Sequence, residues 1–411
     1  MLFVLLLLFI SYKFNKTNND WFTSPLFYGI VALKCVYAVI YVSVYTWFYH
    51  GEGDMFLFIS NTQELIQYIG YSPAKYVDFI IGDYKSLQFS RDLYDSVVLE
   101  PRISVFLKVF YLFFLASFSS MYLSIVALIL LSSWIIFKAY CSDVIKHKKA
   151  FLITFVFLPS YSFWTSGISK EAFILPVLLW IFIELAEINS VNNLFKKIWW
   201  ILPLLVWVFK VKYYYGFLFL LFTLYYVALT RFKISKRYLL LVSLAIGGIA
   251  LAIAPYLHPY LSLKLLPELI QVNYQMFCPD TTYITCVQLP VEGSWGSIFY
   301  SLPKSALFGM FAPWIGQGHN ILALVLSIEN TLIIVATIYL IYLLVKKRVS
   351  LTSADFVLCF GVLISASLIC MAAPNLGSLS RYKEIYWPLW VFVMVKYILP
   401  QIVHRLPKWA Q

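Results

Sequence analysis

Long apolar runs separated by short polar connections occupy most of the 411 residues of the chain. A bilayer core of about 30 Å needs roughly 20 apolar residues of helix, and this length identifies eleven candidate spans. They are predicted at 2–12, 27–49, 119–139, 150–166, 168–186, 197–211, 213–230, 238–257, 324–345, 354–372 and 387–403. The pattern therefore predicts an all-α polytopic membrane protein with a single integral-membrane domain over residues 1–411.

Two connections, 50–118 and 258–323, are much longer than the others. The first contains an apolar stretch at 103–118 that is too short to span comfortably beside 119–139, and we interpret it as an interfacial or re-entrant helix. Lys and Arg concentrate in short cytoplasmic connections, and with 103–118 not spanning, all the short basic connections fall on one side. Both long loops and the N-terminus are then predicted to face outward, and the C-terminus the cytoplasm.

Composition supports a membrane protein and excludes a soluble enzyme. The chain is 62% hydrophobic and 12% charged, whereas a soluble domain is nearer half apolar and a quarter charged. The net charge of +12 comes from 31 Lys and Arg against 19 Asp and Glu. Because the excess falls in the cytoplasmic connections, we interpret it as an orientation signal and expect no nucleic-acid partner. The abundance of Phe, Ile, Lys and Tyr suggests a bacterium with AT-rich coding. The expected location is the bacterial inner membrane.

The cysteines divide into two groups. Cys278 and Cys286 flank a short segment of the second outer loop, where a disulfide is plausible in an oxidising compartment and two free thiols are the alternative. The other four lie in or beside spans and are interpreted as packing residues. The sequence contains no zinc-type Cys/His spacing and no nucleotide-binding motif, which argues against nucleotide-driven chemistry on the cytoplasmic side.

Acidic residues meet the predicted outer membrane surface directly after the second candidate span. His50, Glu52 and Asp54 are separated by glycines that let the backbone bend. The apolar sequence after Asp54 holds this carboxylate near the bilayer surface. A general base is one interpretation, and a solvated loop start is the other. The three side chains could also hold a divalent cation, which leaves metal dependence open and no cofactor certain.

Several cations stand on the same predicted outer face, against the usual charge bias. They suggest an anionic partner such as a lipid phosphate, while interfacial pairing is the structural alternative. The candidate phosphate contacts are Lys170, Lys210, Lys212, and Arg381 beside Tyr382. Glu171, Lys304 and His319 are candidate acceptor-side or secondary residues, His319 as a base or ligand. Glu329 and Asn330 are unusual because they lie a turn or two inside a predicted span, where they would line a wet cavity.

Together these groups suit transfer from a lipid-linked phosphate donor. A carboxylate would act as general base toward an acceptor hydroxyl. Cations would neutralise the charge that develops on the leaving phosphate. The apolar carrier would remain in the bilayer between helices.

An acid after the first full span, a long first outer loop, short-looped spans and an Arg-Tyr pair before the last span resemble the GT-C class of membrane glycosyltransferases. The resemblance implies a polyprenyl-phosphate sugar donor and a glycan, lipid or protein acceptor. It also implies that Asp54 is the catalytic acid residue, with Glu52 as its neighbour, and that Arg381-Tyr382 belongs to the donor site. The turn at 159–167 and Lys170-Glu171 resemble a turn of bacterial relatives. The chain departs from the class in lacking a clear Asp-x-Asp pair and in its additional N-terminal segment.

Two other functions fit the same pattern less well. An O-antigen or exopolysaccharide polymerase or ligase would share the lipid-diphosphate donor, but the outer loops contain only Arg91, Arg102 and Arg381. A lipid or glycolipid transporter or flippase would be expected to show inverted repeats and broken helices with charges at mid-membrane. The sequence shows no repeat, and its charges cluster at one predicted face, which favours an enzyme.

Overall fold

The computed structural model describes residues 24–84, 87, 89–188, 191–230, 238, 262–279, 285–317 and 320–403. The predicted segment 2–12, nearly all of the predicted span 238–257, and His319 lie outside the described residues. Every regular element within those ranges is helical, which confirms the all-α prediction for that part of the chain.

The described helices are numbered here in chain order. They are α1 (Pro25–Ser43), α2 (Asp54–Ile69), α3 (Pro73–Ile81), α4 (Arg91–Tyr94), α5 (Pro101–Ala116), α6 (Met121–Cys141), α7 (Lys148–Phe155), α8 (Pro159–Trp164), α9 (Lys170–Ala186), α10 (Val191–Val211), α11 (Tyr213–Thr230), α12 (Leu266–Phe277), α13 (Trp295–Phe311), α14 (Ile321–Val345), α15 (Ser353–Ala372), α16 (Leu376–Tyr382) and α17 (Trp387–Val403). Short π-helical turns extend α1 over Val44–Phe48 and α4 over Asp95–Leu99, and a 3₁₀ turn, Lys383–Ile385, joins α16 to α17.

Four of the described helices are long and apolar enough to cross a membrane: Pro25–Phe48, Met121–Cys141, Ile321–Val345 and Ser353–Ala372. A fifth is added if α16 and α17, which are bent by 62° at their junction, count as one broken span. The region of the predicted span 150–166 is divided between α7 and α8. The described part of the chain is therefore a helical membrane protein with four or five candidate spans.

The chain forms two compact units. Unit 1 comprises residues 1–148 and 161–219, and unit 2 comprises residues 149–160 and 220–411. In unit 1, α6 packs against α1 and α9, while α5 packs against α2 and α10. Phe106 and Phe110 of α5, one turn apart, meet the ring of Phe173 edge-on at centroid distances of 5.4 and 5.8 Å. The predicted interfacial stretch is thus a helix with one side buried in protein.

In unit 2, α15 packs against α12, α13 and α17, and α14 packs against α13 and α17. Gly309 of α13 crosses α15 so closely that a Cβ atom there would lie 2.2 Å from the carbonyl oxygen of Ala366. Small residues permit such close contact between membrane helices. Beside this crossing, the hydroxyl of Tyr386 donates a hydrogen bond of 2.7 Å to the carbonyl oxygen of Gly309. The start of α17 is therefore tied to the α13–α15 pair.

Candidate functional site

Asp54 is the first residue of α2, directly after the bend that ends the first long helix. Gly51 and Gly53 have φ values of 82° and 96°, a region that glycine adopts without the steric cost of a side chain. A Cβ atom on Gly53 would also lie 2.9 Å from the ring of Tyr45. Asp54 is half-buried, and its place in the first turn of α2 suits a carboxylate because the helix N-terminus carries partial positive charge.

Lys170 approaches the side of α2 on which Asp54 stands. Phe58 follows Asp54 by four residues on this helix, so the two side chains share one face. The ammonium nitrogen of Lys170 lies 5.5 Å from the centre of the Phe58 ring. The fold of unit 1 thus brings Lys170 to the face of α2 that also bears Asp54, which lies 116 residues away in the sequence.

Glu171 and Lys212 form a buried ion pair in unit 1. The carboxylate of Glu171, which has 0% exposure, accepts a hydrogen bond from the ammonium of Lys212, which has 5% exposure. The ammonium also lies 4.7 Å from the centre of the buried Tyr215 ring. Lys212 was predicted to contact phosphate and Glu171 to be a secondary site residue, whereas in the structure each neutralises the other.

The turn before Lys170 is held by two side chains of α1. Lys34 donates hydrogen bonds to the hydroxyl and the carbonyl oxygen of Thr165 at 2.8 and 3.3 Å. Tyr41 donates to the carbonyl oxygen of Ile168 at 3.2 Å. Gly167 lies against the Tyr41 ring, and a Cβ atom there would be 2.0 Å from it. These contacts fix the backbone from which Lys170 and Glu171 emerge.

In unit 2, the disulfide loop is anchored to the segment that leads to Arg381. Cys278 and Cys286 are joined by a disulfide, and Cys286 forms an isolated antiparallel bridge with Asn375. The side chain of Asn375 caps α16 by accepting from the amide of Gly377 at 3.0 Å. Arg381 then lies in the last turn of α16, so this covalent loop supports the helix that positions it.

A second polar cluster of unit 2 contains Glu329, Asn330 and Lys383. Lys383 donates to the side-chain oxygen of Asn330 at 2.7 Å, and its ammonium lies 4.4 Å from the centre of the Trp387 ring. The amide of Ser160 donates to Glu329 at 2.8 Å. All three cluster residues are buried. The Glu-Asn pair within an otherwise apolar helix was the sequence signal for this cluster, but Lys383 as its partner could not be read from the sequence.

The remaining candidates show fewer contacts. His50, Glu52, Lys210 and Lys304 are exposed, while the Tyr382 ring lies 6.4 Å from that of Phe277. Over the described ranges, no group of three His, Cys, Asp or Glu side chains is arranged to hold a metal ion. Lys34 also escaped the sequence analysis as a site-shaping residue, because a single lysine in an apolar run does not indicate its partner.

Comparisons of the chain with protein-family models, with curated proteins and with solved structures gave no match.

Proposed function

We propose that this chain is an outward-facing membrane glycosyltransferase of GT-C type, which moves a sugar or glycan from a polyprenyl-(di)phosphate donor to an acceptor at the outer membrane face. The observation that carries the proposal is the placement of Lys170 beside the face of α2 that bears Asp54. An acid and a cation at one membrane-proximal position provide the two charges that such a transfer needs.

In the proposed reaction, Asp54 accepts the proton of the acceptor hydroxyl. At the same time, the oxygen of that hydroxyl forms a bond to the anomeric carbon of the donor sugar. The bond from that carbon to the phosphate oxygen breaks, and the carrier leaves as its phosphate or diphosphate. Attack from the face opposite the leaving group inverts the anomeric centre. Lys170 stabilises the developing phosphate charge. Lys212 supports the site through Glu171.

The topology that accompanies this proposal has eleven spans, an external N-terminus, a cytoplasmic C-terminus and two outer loops at 50–118 and 258–323. Single cysteines placed at positions 54 and 381 should both react with an impermeant thiol reagent applied outside intact cells. Protection of 54 together with labelling of 381 would mean that the 103–118 region crosses the membrane, and it would refute this topology.

Transport of a lipid or glycolipid is the second candidate, and a specific observation favours it. The broken pair α16–α17 carries the buried Lys383 at its junction, and Glu329 lies inside an apolar helix. Broken helices with buried ionisable residues are a feature of transporters. A polysaccharide polymerase or ligase remains the alternative within the same donor chemistry.

The decisive variant is Asp54→Asn, which keeps the shape of the side chain and removes the proposed base. It should abolish glycan transfer while leaving expression intact, and mass spectrometry of lipid-linked intermediates should show the donor accumulating. Asp92→Asn is the matched control, since Asp92 is an exposed acid of the same loop. Wild-type transfer by Asp54→Asn would reject the assignment. If Asp54→Asn instead loses the movement of lipid across the vesicle membrane and its glycan transfer is unaffected, the result would favour the transporter.

A further inference from the structure

The Glu329–Asn330–Lys383 cluster is surrounded by buried polar atoms whose hydrogen-bonding capacity is unused. One carboxylate oxygen of Glu329 accepts from the amide of Ser160, whereas the other, Oε1, has no hydrogen-bond partner among the described residues. The same holds for the hydroxyl of Ser160 and the indole nitrogen of Trp387. Each of these residues touches the cluster or belongs to it: Ser160 contacts Glu329, and the Trp387 ring lies under Lys383.

Trp314 adds a fourth such atom on another side of the cluster. The side-chain amide of Asn330 donates to the carbonyl oxygen of Pro313 at 3.0 Å. Trp314 follows Pro313 directly, and its indole nitrogen is likewise buried without a partner in the described part of the chain. A buried polar group left unpaired destabilises the fold. Four around one cluster therefore need an explanation, and a bound ligand supplies one.

The chemical types of these atoms narrow the ligand class. Indole nitrogens only donate hydrogen bonds, so together with the ammonium of Lys383 they disfavour a cation. The carboxylate of Glu329, which is 8% exposed, only accepts and disfavours an anion. A hydroxyl group can donate to Glu329 Oε1 and accept from an indole at the same time. A sugar carries several such hydroxyl groups and can therefore satisfy several of these atoms at once.

We infer that this cluster of unit 2 binds an uncharged, hydroxyl-bearing ligand of the carbohydrate class, with Glu329 as acceptor and Trp387 as donor. The 62° bend between α16 and α17 lies at the cluster, and irregular backbone at membrane depth is tolerated where it is buried in protein or lines a water-filled cavity. The inference depends only on contacts within unit 2, and it does not require that the chain transfer sugars.

Saturation-transfer NMR on the purified full chain in detergent tests the inference, with methyl glucoside, methyl galactoside and N-acetylglucosamine as probes and dioxane as a hydroxyl-free control. We expect a saturable signal from at least one sugar and none from dioxane. Glu329→Gln should weaken that affinity about tenfold or more, because it removes the charge of the hydrogen-bond acceptor. Trp387→Phe, which removes the donor and keeps an aromatic ring, should also weaken it. Glu268→Gln, which changes an exposed residue of unit 2, should not.

Thermal melting of each variant without sugar separates binding from folding. A variant that melts like the wild type and loses the sugar signal supports the site. If Glu329→Gln fails to fold, Trp387→Phe alone decides. Absence of a saturable signal from all three sugars in the wild type overturns the inference, as does a signal that neither folded variant weakens. Asp54→Asn should still bind sugar. Wild-type transfer by Asp54→Asn together with Glu329-dependent binding would reject the proposed transferase while this site stands, and loss of transfer by Asp54→Asn without any sugar signal in the wild type would reject this site alone.

Discussion

The ammonium of Lys34 donates a 2.8 Å hydrogen bond to the hydroxyl of Thr165, and that hydroxyl in turn donates to the carbonyl oxygen of Tyr161 at 2.7 Å. Both Lys34 and Thr165 are essentially inaccessible, at 1% and 0% exposure. These two consecutive hydrogen bonds join the middle of the first long helix to the turn that leads into Lys170. Lys34, although it lies inside an apolar helix, therefore stabilises the backbone turn that positions Lys170 of the proposed site.

This contact makes two substitutions unequal. Thr165→Val keeps the side-chain volume but leaves the buried amine with one carbonyl partner at 3.3 Å. We expect it to cost about 1–3 kcal/mol of stability. Lys34→Met should cost less, because it removes the buried amine itself and the Thr165 hydroxyl keeps its bond to Tyr161, so only the Thr165 carbonyl oxygen loses its 3.3 Å donor. Thermal melting in detergent measures the difference, and a larger loss for Lys34→Met would contradict the argument. The double variant should resemble Lys34→Met alone.

The Glu171–Lys212 pair should show strong coupling. Removing either partner leaves the other charge buried, so Glu171→Gln or Lys212→Met should each cost about 3–5 kcal/mol. The double variant should lose much less than the sum of the two, which a double-mutant cycle measures directly. Lys210→Met is the matched control and should be nearly silent because Lys210 is exposed. Additive losses would mean that Lys212 acts elsewhere, for instance as the phosphate contact expected from the sequence.

The close crossing of α13 and α15 in unit 2 requires a glycine at position 309. Gly309→Ala would place a Cβ atom 2.2 Å from the carbonyl oxygen of Ala366, and a helix backbone cannot move aside as a side chain can. We expect a loss of about 1–3 kcal/mol from overpacking. Gly29→Ala is the control, because nothing lies within 4 Å of its added Cβ and alanine favours helix by about 1 kcal/mol. Equal melting temperatures for the two variants would show that α13 and α15 do not pack this closely.

Alkaline pH should weaken the packing of α5 through Tyr111. This phenol donates to the carbonyl oxygen of Gly70, and burial, reinforced by Tyr71 and Tyr76, raises its pKa to about 12. In the unfolded chain the phenol ionises near pH 10. Stability from this group is therefore complete below pH 10 and is lost as pH rises toward 12. Tyr111→Phe should be less stable than the wild type at pH 9, and the difference should shrink by pH 12. A constant difference would contradict the assigned cause.

The sequence predicted what periodicity and charge alone determine. The helices α1, α6, α14 and α15 lie where apolar runs of span length stand, and Asp54 follows the first of them after two glycines. The pairings were beyond it, since nothing local to Lys212 selects Glu171 and nothing local to Lys34 selects Thr165. These contacts join residues 41 and 131 positions apart, so they depend on which helices pack together. The bend between α16 and α17 was not predicted either. The Lys383-Glu384 pair at this bend was interpreted as part of an outer turn.

The disulfide between Cys278 and Cys286 offers a test of both compartment and fold. Alkylation under denaturing conditions should modify these two cysteines only after reduction, because structural disulfides persist in oxidising compartments.

Closing this short loop contributes roughly 2–3 kcal/mol in the chain-entropy description. The loop pairs with the backbone of 374–376, as shown by the amide of Val287, which donates to the carbonyl oxygen of Pro374 at 3.0 Å. Cys286→Ser should therefore lower the melting temperature and expose the start of α16 to proteolysis. The Cys359→Ser control should leave the start of α16 resistant to proteolysis. Full alkylation of Cys278 and Cys286 without reductant, in protein taken directly from the membrane, would place the second long loop in a reducing compartment and overturn the outward orientation.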